Sequence, residues 1–173
     1  KQGENLPFVK LNESDFIKRQ NLFKIGRLSK NTMAASILAL RDAGMEAEDT
    51  IQNNNGIIMG SIFGCMDDEI EFFRDLHDRG PLSVNPMKYS NATPNAPASQ
   101  TSIELGWKGL NLTLAGDISA GLDSIGLAFD LLKNGFSDGG ILSGGYEMFS
   151  DPLIKILRAG GTKQKVLADG ISV

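Results

Sequence analysis

From residue 29 to residue 44 the apolar positions Met33, Ala34, Ile37, Leu38 and Leu40 recur at intervals of three and four, which predicts a helix. Ser29 or Asn31 can cap its start, and Gly44 suits its end. After turn-forming residues 52–55 the pattern changes to a short unbroken apolar run, Gly56 to Ile62, of the length a buried strand needs. Residues 67–79 read as a second helix. Asp67, Asp68 and Glu69 open it, His77 and Arg79 close it, and Gly80-Pro81 stops it, the charge order a helix dipole favours. Four prolines between 81 and 97 predict extended or looped chain. A short helix over 98–105, a strand over 110–114, a helix over 119–134, a Gly-rich strand over 139–145 and a helix beginning at 152 follow. No repeat of 20 to 50 residues interrupts this alternation, which predicts an α/β layered domain. The polar start, with Pro7 and residues 12–15 as turn chemistry, reads as an irregular segment over 1–28, leaving 29–173 as the domain.

The helix over 119–134, SAGLDSIGLAFDLLKN, has two apolar sides. At about 100° per residue, Leu122, Ile125, Phe129 and Leu132 fall on one and Leu127 and Leu131 on the other. Such a helix is expected to be buried all round. Leaving two leucines in water forfeits roughly 3 to 6 kcal/mol at about 1.5 to 3 per side chain. A sheet covers one side only, so the other calls for a second half of the fold, a second subunit or another helix of the same chain.

Composition narrows the classes. The 173 residues carry 17 basic and 21 acidic side chains, a net charge of −4, and no extended Lys/Arg run, which argues against nucleic acid as partner. No stretch approaches the roughly 18 consecutive apolar residues of a membrane span, and no secretory h-region opens the chain. The lone Cys65 excludes an internal disulfide framework. A soluble cytoplasmic protein without cofactor or metal is the expectation.

The segment NLTLAGDISAGLDSI, Asn111 to Ile125, resembles the part of the β-ketoacyl synthases in which a strand runs into the catalytic cysteine and a buried helix. The flanks resemble that family in the same order. GIIMGSIFG (56–64) is similar to its strand and glycine turn, PNAPASQTSIELGWKGLN (94–111) to its helix and Gly-x-x-Gly lead, and ILSGGYE (141–147) to the strand beyond the nucleophile helix. ADGISV (168–173) is similar to the start of a later hairpin. The resemblance implies the N-terminal half of a thiolase-like layered fold, helix–sheet–helix with one buried central helix.

In that family the cysteine stands three residues before the glycine corresponding to Gly121, and here that position is Ile118. A thiolate at the positive end of a helix is what thioester attack requires, and isoleucine offers no lone pair. The family's two histidines and its lysine belong to a second half that these 173 residues do not contain, and its opening strand is also missing, which leaves open that the chain is part of something longer. Asp117, Ser119 and Gly121 are expected to form the helix N-terminus at that site, with Ser119 as an ordinary N-cap and Asp117 favoured there by its charge. Cys65, after a glycine turn, reads as a small buried hydrophobe, and His77 as an exposed last-turn residue. Neither GxGxxG, GxxxxGK[ST] nor GxSxG occurs, which removes the common nucleotide and hydrolase motifs.

The resemblance implies a catalytically inactive, chain-length-factor-like partner of an active ketosynthase in fatty-acid or polyketide-type synthesis. Such a protein forms a homodimer or heterodimer and contacts an acyl carrier protein. Two other readings stand beside it: an active β-ketoacyl synthase-type acyltransferase with catalytic groups outside these residues, and a standalone half-fold that dimerises for structural reasons alone.

Overall fold

The computed structural model describes residues 12, 15–18, 22–50, 54–161 and 170–173. Six α-helices and four strands are present among them: α1 (Arg27–Asp42), β1 (Gly56–Ser61), α2 (Met66–Arg79), α3 (Pro86–Ala92), α4 (Ala96–Leu105), β2 (Asn111–Ala115), α5 (Ala120–Lys133), β3 (Ile141–Glu147), α6 (Asp151–Ala159) and β4 (Gly170–Ser172). Much of the irregular segment expected over residues 1–28 lies outside the described residues; of the rest, residues 22–24 form a short 3-10 helix and α1 already includes 27 and 28. The strands form one sheet in the order β2-β1-β3-β4. β1 pairs in parallel with both β2 and β3, and β4 runs antiparallel to β3. Helices α1 and α4 cover one face and α5 the other, giving the α/β layering that the sequence pattern predicts, in the thiolase-like form that the family resemblance implies.

β1 is buried at all six positions, as an unbroken apolar run flanked by two strands requires. Its alternate residues serve different layers. Ile57 and Met59 join Leu28, Ala98, Tyr146 and Met148 in the core under α1 and α4. Gly60 lies under α5, where an added Cβ would come within 2.0 Å of Ala120 O. At the opposite ends of the strands Asn55 gathers three loops. Its Nδ2 donates to Thr50 O, its Oδ1 accepts from Gly140 N, and its carbonyl accepts from Gly109 N.

Several expectations need correction. α1 starts at Arg27, two residues before the predicted boundary, and neither Ser29 nor Asn31 caps it. Gly26 is the N-cap, with no side-chain bond, and Ser29 is fully buried. The stretch 81–97 is not merely extended: α3 occupies 86–92 and α4 begins at 96. Pro86 and Pro97 sit in the first turns, where a missing N–H is no loss and a fixed φ suits the helix, and Asn85 caps α3 by accepting from Met87 N at 3.0 Å.

The largest difference concerns α5, which is not buried all round within this chain. Its inward residues are small, Ala120, Ser124 and Ala128, while Leu122, Ile125, Phe129 and Leu132 are exposed and Leu127 and Leu131 half-buried. The sheet thus takes the small-residue face, and none of the described helices covers the large one.

Candidate functional site

The C-terminal ends of β1 and β3 and the N-terminus of α5 enclose a cavity of about 620 Å³, closed on one side by β4. The tight seat of α5 creates it. Gly121 rests against Gly145, with a Cβ at Gly145 only 3.1 Å from Gly121 Cα, and the Ser124 hydroxyl lies 2.7 Å from Gly144 O and 2.6 Å from Gly121 O. Small residues on both partners let the helix start directly above the strand ends.

Ile118 stands at the mouth of this cavity with 89% of its surface exposed, beside Leu122 and Ile125. Ser119 is at the N-cap position, yet its hydroxyl makes no cap bond. Its single O–H lies within reach of two carboxylates, Asp117 Oδ1 at 2.8 Å and Asp123 Oδ2 at 2.6 Å, and donates to one of them at a time. The expected capping role therefore does not hold. Asp117 is the residue that serves the helix start, accepting from Ser119 N at 2.9 Å. That backbone N–H and the Ser119 hydroxyl hold its carboxyl below the usual carboxylate range.

Glu147, at the end of β3, was not among the residues singled out from the sequence. Its carboxylate accepts from Ser61 Oγ at 2.9 Å, from Ile62 N, and from Phe63 N at 3.3 Å, while Ser61 Oγ accepts from Gly64 N at 2.8 Å. The β1–α2 turn is thereby tied to β3 across the cavity wall, and Phe63 is held edge-on to Phe149. An acidic residue ending an otherwise apolar strand was the available signal.

Chemically, the cavity offers hydroxyls and carboxylates and no cysteine, histidine or lysine among the described residues. Cys65 lies in the core beneath α1 and α4, 2% exposed, and burial, followed by the charges of Asp68 and Glu69, pushes its thiol up to about 12. It is a packing residue there. His77 is exposed near the end of α2, away from the cavity. No group of three or more His, Cys, Asp or Glu that could hold a metal occurs among the described residues.

Comparison with known proteins gives this geometry a family. The model described as "Beta-ketoacyl synthase, N-terminal domain" matches residues 13–163. The chain belongs to that family. A curated relative, the 3-oxoacyl-[acyl-carrier-protein] synthase 2 of Staphylococcus aureus (strain N315), is 28% identical over 157 residues, covering 91% of this chain and 37% of the relative. Among solved structures, "The ishigamide ketosynthase/chain length factor" superposes with a TM-score of 0.72 at 22% identity, covering 91% of this chain and 43% of that one. A type II polyketide ketosynthase in complex with its acyl-carrier protein, AntDE:AntF, gives 0.72 at 22% identity, with 90% and 45% covered. At such identities the structural likeness establishes the fold. The chain spans a little over a third of the length of the curated relatives it matches, and the open face of α5 lies on the β-ketoacyl synthase N-terminal domain itself. No helix among the described residues is long and apolar enough to cross a membrane.

Proposed function

We propose that this domain acts as the non-condensing partner of an active ketosynthase in fatty-acid or polyketide-type synthesis, in the manner of a chain-length factor. The observation that carries the reading is Ile118. It stands at the α5 N-terminus above a cavity of about 620 Å³, at the position that the sequence resemblance assigns to the family's nucleophile. A residue without a lone pair there cannot form an acyl thioester, but it can shape the wall of a pocket. The domain then contributes surface. The exposed face of α5, with Leu122, Ile125 and Phe129, and the open edge of β2 are the places for the remainder of the fold and for a second subunit, in a homodimer or with an active ketosynthase. An acyl carrier protein, the partner of the ketosynthase in the AntDE:AntF complex, would deliver the chain, and the cytoplasm is the compartment expected for this domain.

The test is the intact mass of the protein before and after incubation with acyl-coenzyme A and with acylated carrier protein. An unchanged mass is expected, and an acyl adduct would overturn the reading. Ile118→Cys alone is expected to restore no condensation, because one thiol supplies neither base nor oxyanion donors; measurable product from that single variant would contradict it.

A second reading, an active condensing enzyme whose catalytic groups lie outside these 173 residues, is favoured by one fact, that relatives extend well beyond the matched segment. It predicts adduct formation in the same mass experiment. A purely structural half-fold that dimerises through α5 predicts no adduct and a dimer of this chain by sedimentation.

A further inference from the structure

Gly26 is the meeting point of three helices. A Cβ there would lie 2.8 Å from Asp68 Oδ2 and 3.6 Å from Asn91 Cβ, so α2 and α3 each press a polar side chain against the one residue at the start of α1 that has none. Asn91 Nδ2 donates to Lys24 O at 2.8 Å, which fixes the amide, and Asn91 Oδ1 is left buried without a hydrogen-bond partner. Asp68 is half-buried and forms no ion pair among the described residues. The junction therefore holds a carboxyl and an unsatisfied acceptor around one glycine, a combination costly for a carboxylate and favourable for a carboxylic acid, which brings its own O–H.

The charges around Asp68 act in the same sense. Burial first, then Glu71 and Asp67 of α2, raise its carboxyl to about 6 against the opposing pull of Lys88 of α3. Lys88 is already engaged by Glu71 at 2.5 Å and Asp75 at 3.0 Å. The Cys65 thiol, just before α2, stays neutral, and Arg27 of α1 directs its Nε to Met148 Sδ at 3.0 Å. α2 has no fully buried residue and rests chiefly on α3, whose one buried residue is Ala92 at its end, so the pair is able to yield with little of the core disturbed.

We propose that Asp68 is a proton-operated latch that fastens the α2–α3 pair to the start of α1. Neutral, it supplies a donor at a junction with an unpaired acceptor; ionised, it sets a poorly solvated charge beside Glu71 and Asp67, and the pair loosens. The sign follows from linkage. An acid whose folded value lies above its unfolded value of 3.8 destabilises the fold fully above about pH 6, and the penalty is relieved as pH falls from 6 toward 4. This latch is independent of whether the domain is catalytic.

Two measurements on the unmodified chain test it: the titration of the Asp68 carboxyl carbon by NMR, and amide protection factors for α2 and α3 at pH 5 and pH 7.5, corrected for intrinsic exchange. The expected results are an inflection near pH 6 and protection about tenfold lower at pH 7.5, the ~100-fold ceiling of a two-unit shift being reduced by solvent. Amides of α5 should not follow. Asp68→Asn should remove the pH dependence at α2 and α3. An Asp68 carboxyl that titrates near 4, or protection at α2 and α3 that does not change with pH, overturns the proposal without recourse to any variant.

Discussion

The two faces of the sheet are closed by opposite means. Beneath α1 and α4 large side chains interlock: Leu28, Ile57, Met59, Tyr146 and Met148 are all nearly inaccessible, and the Tyr146 hydroxyl donates to Pro94 O at 2.5 Å. Under α5 the contact is almost backbone to backbone, through Gly60, Gly121 and Gly145, with Ala120, Ser124 and Ala128 as the inward side chains. The first face completes a core inside this chain. The second uses its small residues to bring a helix close and turns that helix's bulk outward, where Phe129 is 62% and Leu122 75% exposed. A helix so composed offers its hydrophobic surface to a layer that the described residues do not provide, and its N-terminus carries the cavity.

The largest effect expected from this contrast is at the close approach. Gly60→Ala puts a methyl 2.0 Å from Ala120 O, which no rotamer relieves, so α5 must lift from the sheet at a cost of about 3 kcal/mol or more. Thermal unfolding by circular dichroism should show it. Gly126→Ala is the control, because nothing lies within 4 Å of that site and an alanine in a helix interior gains up to about 1 kcal/mol.

Next come the large residues of the two faces. Met59→Ala is expected to cost about 2 to 5 kcal/mol, since its pocket is sealed on every side. Phe129→Ala should change the stability of this chain alone by less than about 0.5 kcal/mol, the range of ordinary surface substitutions, and should weaken association with whatever covers α5. Urea midpoints for both variants, with sedimentation for Phe129→Ala, check this. Equal costs for the two would mean that the faces do not differ as described.

The parts of this molecule legible in its sequence are those fixed by local patterns. The apolar run of β1, the acid-to-base order of α2, and the two apolar sides of α5 all follow from spacing within a dozen residues. What escaped is set by tertiary competition. Pro86 and Pro97 read as helix breakers until their positions in the first turns are known. The bare side of α5 was not decidable from periodicity, because glycines on β1 and β3, remote in sequence, choose the small-residue face. Glu147 is bound to a turn some 85 residues away, a pairing that no local pattern announces.

Ser119 shows the same limit at the candidate site and yields the smallest and sharpest prediction. Its place before an apolar helix suggests a capping hydroxyl, but carboxylates two residues before and four residues after it offer better acceptors, and the hydroxyl goes to one or the other. Ser150, before α6, faces no such competition, and its Oγ accepts from Leu153 N at 3.2 Å. Ser150→Ala should therefore cost about 1 kcal/mol, the usual value of an N-cap, whereas Ser119→Ala should cost only a few tenths. The two variants are compared by urea unfolding at neutral pH, where Asp117 is ionised. Because the Asp117 carboxyl lies below its unfolded value, acidification past the usual carboxylate range should weaken the acceptor that it offers to Ser119 N and leave the Ser150 cap untouched, since a hydroxyl does not titrate there. A Ser119→Ala penalty as large as that of Ser150→Ala would return the capping role to Ser119 and leave Asp117 as a bystander at the start of α5.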